Sequence, residues 1–226
     1  MRLLIIKEVN MSMKLKLVTT AVVAAIAFTS TATSAAGLEG VSSNVGVTSD
    51  YLWRGVSQTD GKPAVSGGLD YEASNGLYIG SWVSNVDFGD DSSYELDGYL
   101  GFSGEVSSVS YDAGYIYYAY PNGEDLDFGE LYASASLSYF TLGLALLAHA
   151  DGADFADNNY YYAGAAFPVA DELEIGAHVG TYVFDAGEDY IDYNIYADYK
   201  GVNFMLSKTD LDNDDMKAVI SYAWSF

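Results

Sequence analysis

The side chains of this sequence that could carry chemistry are overwhelmingly carboxylates. Asp and Glu number 32 against nine Lys and Arg, histidine occurs twice, and cysteine is absent. Cysteine nucleophiles, thiolate metal sites and disulfide scaffolds are therefore excluded. His149 and Asp151 could begin a hydrolytic site, but the sequence offers no evident third partner, so we expect no enzyme.

Residues 37–226 are strongly acidic. They keep five of the nine basic residues and every acidic residue except Glu8, which gives a net charge of −26. Binding to a nucleic acid requires basic side chains that displace counterions from the phosphates. A nucleic-acid partner is therefore excluded.

The densest acidic run begins like a calcium-binding loop and supplies carboxylates from Asp210, Asp212, Asp214 and Asp215. However, Asp215 stands where an EF-hand loop needs glycine, and Ser221 stands where it needs a bidentate Glu. We expect no resident cofactor and only weak Ca²⁺ or Mg²⁺ binding by this acidic loop. A solvated acidic surface is the favoured alternative.

The elements that position these acids follow a two-residue period, which is typical of β-strands. In residues 94–102, Tyr94, Leu96, Leu100 and Phe102 share one face, while Glu95, Asp97 and Tyr99 share the other. The same period predicts about twelve strands, each close to the ~9–11 residues that a tilted strand needs to cross a bilayer. The side chains that it turns outward include Val45, Val47, Tyr51, Trp53, Tyr78, Trp82 and Val86.

The connections between the strands alternate in length. Short links at residues 74–76, 140–141 and 200–201 alternate with long acidic ones at 87–93, 121–127, 151–158, 185–190 and 210–216. This layout predicts an all-β fold, a transmembrane antiparallel up-and-down β-barrel with short periplasmic turns and longer extracellular loops. A soluble secreted β-sandwich also alternates, but its sheet edges would need cover, whereas closure removes the edges.

The first 36 residues differ in composition from the remainder. Lys14 and Lys16 precede an apolar run at residues 17–28, and Ser34 and Ala36 suit a signal peptidase site. We predict a signal peptide over residues 1–36, with a start at Met13 as an alternative that would remove residues 1–12, and a barrel over 37–226. The ending Ile220, Tyr222, Trp224 and Phe226 resembles the signal that engages the barrel-assembly machinery of the bacterial outer membrane.

Two stretches carry a family resemblance. They are NVGVTSDYLWRGVSQT at residues 44–59 and GLYIGSW at residues 76–82, with Pro63, Ala64, Val65 and Gly67 between them. The sequence resembles the TorF family of small Gram-negative outer-membrane porins, most strongly over residues 41–120. The resemblance implies a porin-like barrel and supplies no catalytic or ligand residues.

The inward face is predicted to be wet and anionic. The pore-lining residues that we predict are Asp50, Arg54, Asp70, Asp97, Asp112, Tyr99 and Tyr118. Because unpaired carboxylates are costly in a dry interior, we expect water in the barrel, inward tyrosines that narrow it, and passive diffusion of small polar solutes with a preference for cations. The alternative is a non-conducting structural or surface-interaction barrel.

Arg54 is the only arginine of residues 37–226. One interpretation makes it a constriction residue or a partner of inward acids. The favoured one places it at the rim, bound to a lipopolysaccharide phosphate or a neighbouring carboxylate. The acidic loops are expected to contact lipopolysaccharide, bridged by cations.

Overall fold

The computed structural model describes residues 39–123 and 125–226, and the predicted signal peptide lies outside these ranges. Twelve strands close into an antiparallel barrel in which β1 pairs with both β14 and β4, and β2 and β3 form a separate two-stranded sheet. The all-β barrel prediction is confirmed. The strands are β1 (Val41–Thr48), β2 (Leu52–Trp53), β3 (Val56–Ser57), β4 (Ala64–Glu72), β5 (Leu77–Asn85), β6 (Tyr94–Val106), β7 (Val109–Ala119), β8 (Phe128–Leu137), β9 (Phe140–Ala150), β10 (Asn158–Ala170), β11 (Leu173–Phe184), β12 (Tyr190–Tyr199), β13 (Val202–Thr209) and β14 (Lys217–Ser225).

The barrel has an apolar outer face and a polar inner one. On β6, Leu96 and Leu100 are 44% and 57% exposed on the outside, whereas Glu95 and Asp97 are each 1% exposed on the inside. Apolar side chains at two-residue spacing continue round the other wall strands, as lipid contact requires. No helix within the described ranges is long and apolar enough to cross a bilayer.

The strand connections place six long segments on one rim and five short turns on the other. The short turns join β4 to β5, β6 to β7, β8 to β9, β10 to β11 and β12 to β13. The turn between β8 and β9 falls at residues 138–139 rather than at the predicted 140–141. The sequence interpretation counted five long loops. The sixth is residues 49–63, which join β1 to β4 and contain β2 and β3.

Five side chains face the opposite way from the sequence prediction. Tyr78, Trp82 and Val86 were predicted outward, but they lie inside, and Leu77, Ile79 and Val83 form the outer face of β5. Both faces of this strand carry apolar residues, so the alternation of hydropathy cannot choose between them. Tyr51 and Trp53 were also predicted outward, and they lie inside because the chain leaves the wall after Thr48.

Candidate functional site: a hairpin inside the lumen

Residues 49–63, called the lumen hairpin here, turn into the barrel interior. Leu52 pairs with Ser57 and Trp53 with Val56, which leaves a two-residue turn at Arg54 and Gly55. The φ angles of these two residues are +49° and +80°, as a type I′ turn requires. The turn twists in the same sense as the strands and therefore gives a tight hairpin.

Hydrogen bonds close the base of the lumen hairpin. The carboxylate of Asp50 accepts hydrogen bonds from Ser57 Oγ at 2.6 Å and Thr59 Oγ1 at 3.1 Å. The amide of Gln58 donates to the carbonyl of Tyr51 at 2.7 Å. Asp50, predicted to line the pore, therefore shapes the base of this segment.

The lumen hairpin contacts the wall on several sides. Tyr51 packs edge-on against Trp82 of β5, with ring centroids 5.4 Å apart, and donates from its hydroxyl to Glu95 Oε1 of β6 at 2.8 Å. Leu52 packs with Met205 of β13 and Val219 of β14. These contacts leave a constricted interior at this level of the barrel.

The turn itself is pressed against the wall. A Cβ atom added to Gly55 would lie 2.7 Å from Thr209 Cγ2 and 2.9 Å from Asp192 Cβ, closer than side chains approach. Glycine at this position therefore permits both the left-handed backbone and the close contact with β12 and β13.

Arg54 occupies a cage inside the barrel. Its Nη2 atom lies 2.6 Å from Glu130 Oε2 on β8, and both side chains are almost fully buried. Its guanidinium carbon lies 4.2 Å from the centroid of the Trp53 ring, 4.3 Å from that of Tyr160 and 4.6 Å from that of Tyr182. A charged hydrogen bond and three cation–π contacts hold the tip of the hairpin.

Wall tyrosines donate to wall carboxylates across intervening glycines. Tyr99 on β6 bonds to Asp70 on β4, and a Cβ atom on Gly80 of β5 would lie 2.3 Å from the Tyr99 ring. Tyr78 on β5 likewise donates to Asp112 on β7 at 2.6 Å. The rings therefore lie along the wall, where the glycines make room, and narrow the lumen less than the sequence suggested.

A third tyrosine extends this pattern behind the Arg54 cage. Tyr160 on β10 donates to Asp192 on β12 at 2.8 Å, and its hydroxyl lies 2.7 Å from His178 Nε2. His178 also lies 3.2 Å from Asp192 Oδ1. This network fixes the ring of Tyr160 whose face meets the guanidinium.

The inner wall keeps an excess of negative charge. Glu95, Asp97, Asp112, Glu130 and Asp192 are all 5% exposed or less. Among the described residues, neither carboxylate oxygen of Asp97 has a hydrogen-bond partner, and one oxygen each of Glu95, Asp112 and Glu130 also lacks one. Carboxylates in such surroundings favour a cation, a proton or water beside them.

A family model described as a bacterial protein of unknown function (Gcw_chp) matches residues 31–223. The chain belongs to this family. No curated protein matches the sequence. The resemblance to the TorF family therefore stays a prediction, and the Gcw_chp assignment by itself names no activity.

Three solved structures have a similar fold. They are the KdgM porin (TM-score 0.55, 11% identity, 82% of this chain and 99% of that chain), the KdgM porin in complex with disordered oligogalacturonate (0.54, 9%, 82% and 98%), and a chain from work on the in-meso crystallization of membrane proteins (0.56, 10%, 82% and 83%). At these identities the likeness shows the fold. The Gcw_chp chain is thus a porin-like barrel.

The structure brings most of the predicted pore residues to the inner face. Asp70, Asp97, Asp112, Tyr99 and Tyr118 all line the interior of this Gcw_chp barrel. Arg54 also lies in the lumen at 6% exposure, so the favoured rim interpretation is wrong and its pairing with an inward acid is what the structure shows.

Sequence reasoning missed the hairpin as a unit. Tyr51 and Trp53 were assigned to the first strand, and the support from Gln58 and Thr59 was not recognised. A usable signal was present, because Arg54-Gly55 separates two short extended pairs by the two residues that a type I′ turn takes.

The acidic loop before β14 does not gather its carboxylates. Asp210 Oδ1 accepts from the amide of Ile191 at 2.7 Å, and Asp214 Oδ2 accepts from the amide and hydroxyl of Thr209. Asp212 and Asp215 are exposed. Within the described part of the chain no cluster of three or more metal-ligating side chains forms, so cation binding by this loop stays a prediction.

Proposed function

We propose that this protein is a porin-like channel of the bacterial outer membrane that lets small polar solutes diffuse passively, with a preference for cations. The observation that carries the proposal is the contrast between the two faces of a closed barrel. Apolar side chains cover the outside, and five buried carboxylates face an interior in which Arg54 is the one fully buried basic side chain of the described residues.

The charge of the wall supports the choice of solute. Carboxylates that line a pathway attract cations and raise the barrier for anions, as rings of Asp and Glu do in cation channels. One similar structure holds oligogalacturonate, an oligomer of a sugar acid, bound to KdgM. An anionic oligomer would be repelled by this wall, so we propose a different solute class for this chain despite the shared fold.

The lumen hairpin makes the pathway narrow. Tyr51, Leu52 and Arg54 are all buried against the wall, which suits ions and small molecules better than bulky ones. The same packing favours a second candidate, a non-conducting structural or surface-interaction barrel. The two candidates differ in whether solute crosses at all.

Several partners belong to the proposal. The strand that ends at Phe226 is proposed to engage the barrel-assembly machinery, and the acidic loops are proposed to contact lipopolysaccharide through divalent cations such as Ca²⁺ or Mg²⁺. Membership of the TorF porins, carried by residues 44–59, would agree with this placement.

Planar-bilayer recording of the detergent-folded barrel tests the proposal. We expect discrete conductance steps and, in a KCl gradient, a reversal potential that shows K⁺ to be more permeant than Cl⁻. The Asp70→Asn variant removes one inward carboxylate and should lower the K⁺ to Cl⁻ permeability ratio, whereas Asp91→Asn, in an exposed loop, should change it less.

Two results would contradict the proposal, one its channel activity and the other its cation preference. Absence of conductance steps together with absence of solute flux in liposome swelling would favour the non-conducting barrel. Conductance with a preference for Cl⁻ would keep the channel and remove the proposed role of the anionic wall.

A further inference from the structure

The cage around Arg54 is built largely by the wall. Glu130 stands on β8, Tyr160 on β10 and Tyr182 on β11, and only Trp53 belongs to the lumen hairpin itself. The first three residues, called the wall cage here, would remain in place if the hairpin withdrew. Arg54 therefore occupies the wall cage as a tethered ligand would.

The two tyrosine rings of the wall cage are held in position without Arg54. The hydroxyl of Tyr160 is tied to Asp192 and His178 behind it, so its ring presents a fixed face to the guanidinium. Tyr182 is packed against Phe184 and Tyr190, with ring centroids 4.2 Å and 5.8 Å away. A site fixed in this way loses little conformational freedom when a cation binds.

The lysines of the described residues do not pair with Glu130 of this cage. Lys62, Lys200 and Lys217 pair with acids of loops or turns, and Lys208 lies on the outer side of β13 by register with Tyr193. If the hairpin leaves, Glu130 is left buried with no protein cation to replace Arg54. A cation from solution is then favoured at this position.

We propose that the wall cage is a recognition site for small organic cations that carry a guanidinium group, and that Arg54 is its built-in competitor. This inference rests on the proposed channel function and deepens it by naming a solute class. A planar guanidinium stacks on the two tyrosine rings while it bonds to the carboxylate. An inorganic ion gains nothing from stacking and meets one carboxylate of the cage.

The tethered occupant is an imperfect one. Arg54 donates to Glu130 through Nη2 alone, and within the described residues its buried Nη1 and the second oxygen of Glu130 have no hydrogen-bond partner. A free guanidinium can orient both of its N–H groups toward the carboxylate and form the paired contact that Arg54 does not make. The free guanidinium is at a disadvantage because the tether holds Arg54 at the cage with an effective concentration on the order of millimolar.

Binding of methylguanidinium to the detergent-folded full chain tests the inference. Arg54→Ala removes the competitor and should bind methylguanidinium at least about tenfold more tightly than the wild type, because the tethered group no longer competes. Methylurea, a neutral molecule of the same shape, should not bind. Thermal-shift titration or quenching of Trp53 fluorescence gives the affinity.

Two double variants locate the binding. Arg54→Ala with Glu130→Gln should lose the binding of methylguanidinium, whereas Arg54→Ala with Glu105→Gln, which changes an exposed carboxylate, should keep it. If Arg54→Ala does not fold, Gly55→Ala serves instead. It disturbs the contact of the turn with Thr209 and Asp192 and leaves every residue of the wall cage unsubstituted.

Equal affinity in wild type and variants, comparable binding of methylurea, or binding that survives Glu130→Gln would overturn the inference. Because binding is read in detergent, its outcome is separate from that of the channel proposal. A barrel that binds methylguanidinium and never conducts would retain the site and refute the channel. A cation-selective barrel without this binding would retain the channel and refute the site.

Discussion

The effects of Arg54 and Glu130 on the free energy of unfolding of the barrel should be strongly coupled, because the two side chains form an ion pair. Both side chains are buried, with 2.6 Å between Nη2 and Oε2. Removing one partner of a buried pair costs about 3–5 kcal/mol because the other charge is left uncompensated. Arg54→Ala also loses contacts with three rings, each worth about 0.5–2 kcal/mol.

A double variant separates the two contributions. Arg54→Ala with Glu130→Gln leaves no buried charge behind, so we expect it to be about 2–3 kcal/mol more stable than Arg54→Ala alone. The difference in stability between these two variants isolates the uncompensated carboxylate from the loss of ring contacts, because both variants lack those contacts.

Urea unfolding of barrels folded into lipid vesicles measures these differences. The chain has three tryptophans, at positions 53, 82 and 224, so a background with Trp82→Phe and Trp224→Phe reports on Trp53 in the lumen hairpin. The single variant Glu130→Gln completes the set. If the costs of Arg54→Ala and Glu130→Gln add up to the cost of the double variant within about 0.5 kcal/mol, the reasoning is refuted. It would mean that Glu130 is hydrated in the wild type and that Arg54 does not neutralise it.

Three further predictions concern the tip of the hairpin, the wall and the loops. Gly55→Ala should raise single-channel conductance and cost about 1–3 kcal/mol in urea unfolding, because a methyl group cannot fit against Thr209 in a left-handed backbone. Ile79→Arg should destabilise the vesicle-folded barrel by about 2–4 kcal/mol, since Ile79 faces lipid, and an unchanged unfolding midpoint would mean that β5 has the other face outward. Hydrogen bonding and attraction from Lys62 lower the pKa of Asp87 below its ordinary value of 3.8. The stabilisation of the loops by this pair is therefore present above pH 4 and is lost as the pH falls through the lowered pKa of Asp87. Limited proteolysis of residues 49–63 should accelerate only under strong acid. In the Lys62→Gln variant it should be independent of pH.

The two-residue period was enough to predict the barrel, its twelve wall strands and the inward position of most acids. On β6, the period separates Leu96 and Leu100 from Glu95 and Asp97 without ambiguity, because only one face is apolar. It failed on β5, where Trp82 and Val83 are both apolar and the choice of face depends on Tyr51 packing inside. Tertiary contacts therefore decide what local hydropathy leaves open.

The lumen hairpin was missed for a related reason. Apolar residues recur at even spacing from Val45 through Tyr51 and Trp53, so the period continues although the chain has left the wall. A strand that stays in the wall and a hairpin that turns inside it both alternate. The inward glycines were an unused signal for the position of the tyrosines, since glycine within a strand marks a close approach, here by tyrosine rings over Gly80 and Gly101.

The arrangement of the tyrosines explains why the barrel needs a hairpin at all. Twelve strands enclose more space than the eight of barrels that wall side chains fill, and the rings of Tyr78 and Tyr99 lie along the wall instead of across the lumen. The central space therefore goes to the lumen hairpin, whose Arg54 supplies the cation that the buried Glu130 lacks. If solute passes, it passes between the hairpin and the wall, so the strength of the Arg54 contact and the charge of the wall together set which solutes enter.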